Sequence, residues 1–456
     1  MQIFTLPRLA VALAAALPVA SASAAQAAPD VAALRDAALR DDIAWTLVEG
    51  LTTEIGPRPA ASAREAKARD WAVARLKALG FANVHIEPYS MPAWVRGAEE
   101  ARITAPFDQP LVLAALGNSG ATAARGLDAE VVVFPSLADL QAAPDGSLTG
   151  KIAYVGHAML ANQDGSGYGP FGQVRRLGPA IAARKGAAAI VIKSVGTDHH
   201  RIAHTGVTNW PDGVKPIPAA AVSVPDAENI ERMAKRGQPL RMHLLLTPHF
   251  AGQQSSGNVI AEVPGSDPDA GIVLVAGHLD SWDQGTGAID DGAGVAIVAA
   301  AAKRVMDAGQ PRRTIRILFA GAEEVGGFGG EAYFAAHRND PHVLAMESDF
   351  GADRVWRADY RLPAGAAALQ GRIAAALTPL GIVNGRNPAN GGEDISDLVK
   401  AGVSVIDLAQ DGTRYFDIHH TPDDTLDKID PALLAQNVAA WTTVLSLTAN
   451  AQDSLR

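Results

Sequence analysis

The 456 residues include no cysteine. That absence excludes disulfides, cysteine-ligated zinc modules, thiol nucleophiles and the lipid-modified cysteine of a lipoprotein. Any metal site must be built from His, Asp and Glu. Basic charge is scarce too: the formal net charge is -10, which argues against nucleic acid, because a phosphate backbone selects basic surfaces. Neither HExxH nor GxSxG occurs, so the zincin and serine-hydrolase readings lack their motifs. The glycine-rich GGFGG has no Lys-Ser/Thr partner and is not a phosphate loop. Long apolar runs are scarce outside the N-terminus. There MQIFTLPR carries one basic side chain, LAVALAAALPVA is apolar, and SASAAQAA offers small-x-small sites. That is the layout of a secretory signal peptide over residues 1–27, with cleavage near Ala24 or Ala27. It predicts an exported protein, periplasmic or secreted. The run is short for a membrane span, and no stable span is expected later in the chain.

Apolar content of 48% and charged content of 19% are those of a soluble globular protein, and the length predicts two domains. Residues 30–90 read as two helices split by a Gly-Pro turn, followed by the alternating strand ANVHIEPYSMPAW. Residues 125–245 change texture. LDAEVVVFPS opens the segment, and GKIAYVGH is a strand after a glycine turn. GPAIAARKGAAAIVIKS reads as helix, glycine stop and buried strand, and IPAAAVSVPDAENIERMAKRG repeats strand then helix. From about residue 256, strands (GNVIAEV, GIVLVAGH, RTIRILFAGAEE, HVLAMESD, AGVSVIDLAQ) alternate with helices (GAGVAIVAAAAKRVMDAG, GEAYFAAHR). The expected fold class is α/β, a mixed central sheet with helices on both faces and a smaller inserted α/β domain. In such sheets ligands sit at the carboxyl ends of strands.

Ionisable residues gather at those ends. His278 and Asp280 follow GIVLVAG, with Asp290 and Asp291 just beyond; Glu323 and Glu324 follow RILFAGA. Glu347 and Asp349 end VLAM, and His419 and His420 follow the last strand. One such cluster is ordinarily a solvated loop or a helix cap. Four at successive strand ends would repel one another unless a cation held them. Imidazole and carboxylate are good zinc ligands, and two zinc ions bridged by a carboxylate form a hydrolytic centre. Such a centre also needs a free carboxylate to take a proton, and the adjacent glutamates of GAEE suit the roles of ligand and base. On chemistry alone Asp290 competes with Asp291, Glu347 with Asp349, and His419 with His420.

Taken together, GHLDSW, GAIDDGAG, FAGAEEVGGFGG, MESDFG and HHTPDDTL resemble the co-catalytic di-zinc exopeptidases, nearest to the plasma glutamate carboxypeptidase branch through MESD and the doubled HH. The likeness runs from about residue 40 to 445. Residues 125–245 resemble an inserted protease-associated domain through GKIAYV, ARKGAAAIVI and IPAAAVS. The implied catalytic domain is then 28–124 with 246–456. The resemblance implies two Zn²⁺ per chain: His278 and Asp349 on one, Glu324 and His420 on the other, Asp290 bridging. It makes Glu323 the general base and Asp280 the residue that fixes the His278 imidazole. HTPxDT selects His420, leaving His419 to hold the tetrahedral intermediate or to pack. Asp394, in GGEDISDL, and His204, in DHHRIAHTG, are candidate substrate contacts, Asp394 being equally explained as a helix cap.

The implied activity is hydrolysis of short peptides or dipeptides. A glutaminyl cyclase, an acyl-amino acid hydrolase and a receptor-like relative are the rivals on the same fold. Arg201 and Arg414 are candidate cations for a substrate carboxylate. A peptide partner, no nucleic acid and an optional homodimer complete the expectations.

Overall fold

The computed structural model describes residues 1–5, 30–40 and 42–456; the expected signal peptide lies almost wholly outside them. The described strands are β1 (Ala82–Val95), β2 (Glu99–Ala105), β3 (Gln109–Leu111), β4 (Leu113–Ala115), β5 (Leu127–Phe134), β6 (Ile152–Val155), β7 (Ala189–Lys193) and β8 (Ala219–Val222). They continue with β9 (Arg241–Leu246), β10 (His249–Val263), β11 (Ile272–His278), β12 (Thr314–Ala320), β13 (His342–Glu347), β14 (Val355–Arg361), β15 (Val383–Asn384) and β16 (Ser404–Gln410). They form two eight-stranded sheets, ordered β1-β10-β12-β11-β13-β16-β14-β15 and β3-β2-β9-β5-β6-β7-β8-β4.

The first sheet is mixed. Its centre, β12-β11-β13-β16, is parallel, while β10 and β14 join it antiparallel. Every residue of β11 is buried, as a parallel strand covered on both faces requires. Alternation sorts its side chains. Val273 and Val275 enter the core formed with helices Ile43–Gly50, Ala293–Asp307 and Pro431–Asn450. Leu274 and Ala276 face the opposite core, with Tyr333 of helix Phe328–His337 and Leu398 of Ser396–Lys400. The mixed sheet with helices on both faces is therefore as expected.

Pro431–Asn450 is, by length and composition, apolar enough to cross a membrane, contrary to the expectation that no later segment would be. Its apolarity instead fills the core, where Trp441 and Leu445 are fully buried.

β1 and β10 pair from Ala82↔Glu262 to Val95↔His249 and run on past the sheet as a two-stranded ribbon. The chain leaves this ribbon into β2 and returns from β9, which pair antiparallel. The second sheet thus draws strands from residues 99–246, a wider span than 125–245. Strand β2 alternates, with Ala101 and Ile103 buried between exposed neighbours, and pairs on one side with β9 and on the other with the edge strand β3. Tyr154 of β6 faces one core of this sheet and Ala153 the other.

Candidate metal centre

Because β11, β12, β13 and β16 run parallel, their carboxyl ends share one edge. His278 lies opposite Ala320, two residues before Ala322, and Ala276 lies opposite Glu347. This register brings the four ionisable clusters together.

His278 is fully buried. Its Nδ1 donates to the Asp280 carbonyl at 3.1 Å, with Asp280 Oδ1 at 3.5 Å. Nε2 is left facing Asp290 Oδ1 at 3.1 Å and Asp349 Oδ1 at 3.5 Å. His420 repeats the arrangement: Nδ1 faces the Thr205 carbonyl at 3.3 Å, and Nε2 faces Glu324 Oε2 at 2.9 Å and Asp290 Oδ2 at 3.3 Å. Asp290 thus turns one oxygen to each imidazole. Asp291 points elsewhere. Its Oδ2 accepts from the His278 N–H at 3.1 Å and its Oδ1 from the Gly294 N–H at 3.0 Å, which ties β11 to helix Ala293–Asp307. Gly277 leaves room for this, since a Cβ there would stand 2.8 Å from Asp291 Oδ2. Glu347 also points away, with Oε2 accepting from Ile395 N–H at 3.1 Å. Glu323 donates its N–H to Asp280 Oδ1 at 3.1 Å, so Asp280 touches both His278 and the glutamate pair. Ala322, just before that pair, and His420 hold left-handed backbone, φ 61° in both. Such strain concentrates at functional sites.

The donor set fits a divalent cation. Three-donor groups form at His278, Asp290 and Asp349, and at Asp290, His419 and His420. Asp290 Oδ2 and Glu324 Oε1 are buried without a hydrogen bond, a costly state unless a cation takes them. Burial, and then the other carboxylates, push Glu324 and Glu323 well above the usual carboxylate range, although His278 opposes this. Burial also raises Asp349 and would raise Asp290, but His278 and His420 outweigh it and hold Asp290 well below. Burial, reinforced by the Arg175 charge and opposed by Asp290, lowers His420, favouring the neutral imidazole that binds metal. Two cations a bridging carboxylate apart would satisfy His278, Asp349, Asp290, Glu324 and His420 together, and imidazole with carboxylate suits zinc.

The remaining candidates fall in different places. His419 stacks on His420 with ring centroids 3.5 Å apart and packs edge-on to Tyr168, its Nε2 3.5 Å from Asp290 Oδ2. Asp394 is buried with both oxygens unbonded among the described residues. Burial, with Glu323 as the foremost neighbouring charge, pushes it well above the carboxylate range; with no N–H on either oxygen, it caps no helix. His204 does not face open space. It is fully buried, with Nε2 2.7 Å from Asp198 Oδ1 and Nδ1 2.7 Å from the His419 carbonyl, so it braces the 419–420 turn from the second sheet. Arg201 is paired with Asp226 at 2.9 Å and Arg414 with Asp353 at 2.6 Å, so neither is a free cation.

Sequence reasoning missed several residues. Fully buried Arg58 donates to the Leu279, Thr286 and Gly287 carbonyls, fixing the loop that runs from His278 to Asp290. Asp424 Oδ1 accepts from the Ala288 and Ile289 N–H groups, both at 2.8 Å, and burial pushes its pKa to about 7. Arg175 sits against His420, donating to the Thr205 carbonyl at 3.2 Å and the Tyr168 hydroxyl at 2.6 Å. A cavity of about 510 Å³ opens over the centre. Asp290, Glu323, Glu324, Asp349 and His420 line it, and Arg176 and Tyr168 close it from the second sheet's side.

Residues 258–445 match the model of Peptidase family M28. Carboxypeptidase Q of Rattus norvegicus is 35% identical over 408 residues, 89% of this chain and 85% of its own. The Homo sapiens protein of that name is 34% identical with the same coverage. The crystal structure of a Peptidase M28 precursor from Shewanella amazonensis superposes with a TM-score of 0.91 at 48% identity, covering 93% of this chain and 97% of that one. A zinc aminopeptidase from Bacillus subtilis shares the fold, with a TM-score of 0.63 at 21% identity over 90% of this chain and 95% of its own. The chain belongs to peptidase family M28, and it is a metallo-exopeptidase.

Proposed function

We propose that the protein is an exported zinc exopeptidase acting on short peptides or dipeptides. His278 and Asp349 would hold one zinc and Glu324 and His420 the other, with Asp290 placed to serve both. The observation that carries this reading is Asp290, whose two oxygens face two different histidines at 3.1 and 3.3 Å. The relatives named carboxypeptidase Q support cleavage at a chain end. The N-terminal layout supports export to the periplasm or beyond, and the second sheet with its flanking segments is read as a protease-associated insert.

Bound zinc supplies Lewis acidity to the scissile carbonyl and lowers the pKa of water in the site. The chain's own residues do the rest. Glu323 lines the cavity beside the ligands; its carboxylate takes a proton from the attacking water and returns it to the leaving amine nitrogen. Asp280 holds the His278 imidazole through Nδ1, keeping Nε2 free to bind. Tyr415, Phe416 and Phe350 wall the cavity and exclude bulk water, which strengthens each electrostatic contact.

The test is Glu323→Gln. It should keep two zinc ions and the parental melting temperature while turnover falls roughly 10²- to 10⁴-fold. Full turnover in that variant would exclude Glu323 as the base.

A further inference from the structure

One charge in the cavity wall has no ion-pair partner among the described residues. Arg176 lies on helix Tyr168–Arg184 of the second sheet's unit and lines the same cavity as Glu323 and the ligand residues. Its guanidinium makes a single hydrogen bond, from Nη2 to the Gly169 carbonyl at 3.0 Å. No carboxylate among the described residues comes within ion-pair distance of it. It folds back over Gly172, where a Cβ would stand 2.7 Å from Nη1, so the absence of a side chain there gives the guanidinium its place. Its neighbour differs: Arg175 is committed to Tyr168, Thr205 and His420. Burial and then Arg175 lower the Arg176 pKa against the weaker pull of Tyr168 and Glu393, as for a half-buried cation that its surroundings only partly compensate. Arg201 and Arg414 are already paired. Among the described residues, Arg176 is therefore the cavity cation left to meet an incoming anion.

A partly desolvated, unpaired guanidinium is unfavourable until a carboxylate arrives, and the planar fork then binds it in bidentate fashion. Glu393 also lines the cavity but stands beyond ion-pair distance of Arg176, and the other carboxylates of the wall are committed to metal and proton transfer, so the anion that closes on Arg176 comes with the substrate. We propose that Arg176 binds the α-carboxylate of the residue released on hydrolysis, so that the enzyme reads the C-terminal end of a short peptide. This rests on the exopeptidase reading of the metal centre. It assigns the two units separate tasks: the first sheet carries the chemistry, and the inserted unit carries the anion clamp.

The test compares alanyl-alanine, alanyl-alanine amide and alanyl-glutamate amide on zinc-loaded parent, Arg176→Gln and Arg176→Lys. In the parent the free dipeptide should be cleaved on the order of 100-fold better than either amide, in kcat/KM. Arg176→Gln should erase that preference, chiefly through KM, while changing cleavage of alanyl-alanine amide less than about threefold; Arg176→Lys should restore part of it. Calorimetric binding of alanyl-alanine in a Glu323→Gln background should weaken on removing Arg176 by a similar factor, and binding of its amide should not. Equal losses for free and amidated peptides, or none, would overturn the assignment. Efficient, Arg176-dependent cleavage of alanyl-glutamate amide would overturn it in favour of a side-chain carboxylate. Failure of the exopeptidase reading itself would look different: no zinc-dependent hydrolysis of any of the three by the parent.

Discussion

Arg58→Met removes one side chain that wires the whole loop between His278 and Asp290. The Arg58 guanidinium spends its three nitrogens on the carbonyls of Leu279, Thr286 and Gly287, and its backbone N–H donates to Ser281 Oγ at 3.1 Å. Methionine nearly matches the length but offers no donor. Three buried carbonyls then lose charge-assisted hydrogen bonds, at about 1.5–3 kcal/mol each, which gives a gross loss of roughly 5 kcal/mol or more. Part of this returns, because a fully buried guanidinium no longer has to be desolvated. The net destabilisation is about 3 kcal/mol, corresponding to a melting temperature lower by roughly 3–5 °C. Arg58→Lys should lose about half as much, since one ammonium reaches fewer of the carbonyls. Urea unfolding with linear extrapolation measures the first effect. Zinc competition with a chromophoric chelator measures a second: the loop delivers Asp290, so affinity should fall. A variant within about 0.5 kcal/mol of the parent, with unchanged zinc affinity, would refute the role of Arg58 as the loop's anchor.

Two further outcomes follow from buried histidines away from the cavity. His342 accepts from the Tyr333 hydroxyl at 2.7 Å, and burial, then Arg316, lowers its pKa to about 4 from the ordinary 6.5. Between those values the unfolded chain binds the extra proton, so stability is lost as pH falls; His342 should contribute a loss of about 2 kcal/mol between pH 7 and 5. Urea unfolding at both pH values should show that slope reduced in His342→Gln; an identical slope would contradict the assignment. His204→Leu leaves the buried Asp198 carboxylate and the His419 carbonyl without their partner. It should cost roughly 3–5 kcal/mol and weaken zinc binding at His420 about tenfold or more, as read by chelator competition.

The site's location was legible because apolar runs such as GIVLVA mark strands, and parallel strands put their ends on one edge. The choice within each pair was not. Asp290 and Asp291 are adjacent, yet one faces the two imidazoles and the other is spent on backbone N–H groups. Only the fold of the loop decides which. Glu347 and Asp349 share a face by alternation, but the chain leaves β13 after Glu347, so the alternation no longer governs Asp349. Arg58, Arg175 and Asp424 were invisible because their partners lie more than 130 residues away for Arg58 and Asp424, and 245 away for the Arg175–His420 contact. The strands at 99–115 were passed over because two of the three are three residues long, too short for periodicity to show. His204 reads as a substrate contact in a histidine-rich loop; its burial comes from packing against the His419 carbonyl, 215 residues away, that no local pattern records.

The most direct measurement is the zinc content of the purified chain after chelation, reloading and desalting, beside that of Asp290→Ala. Two zinc ions per chain in the parent, with both lost or strongly weakened by the single substitution, is the expected result, since Asp290 faces both histidines. One zinc or none in the parent, or two retained without Asp290, would contradict the bridged centre.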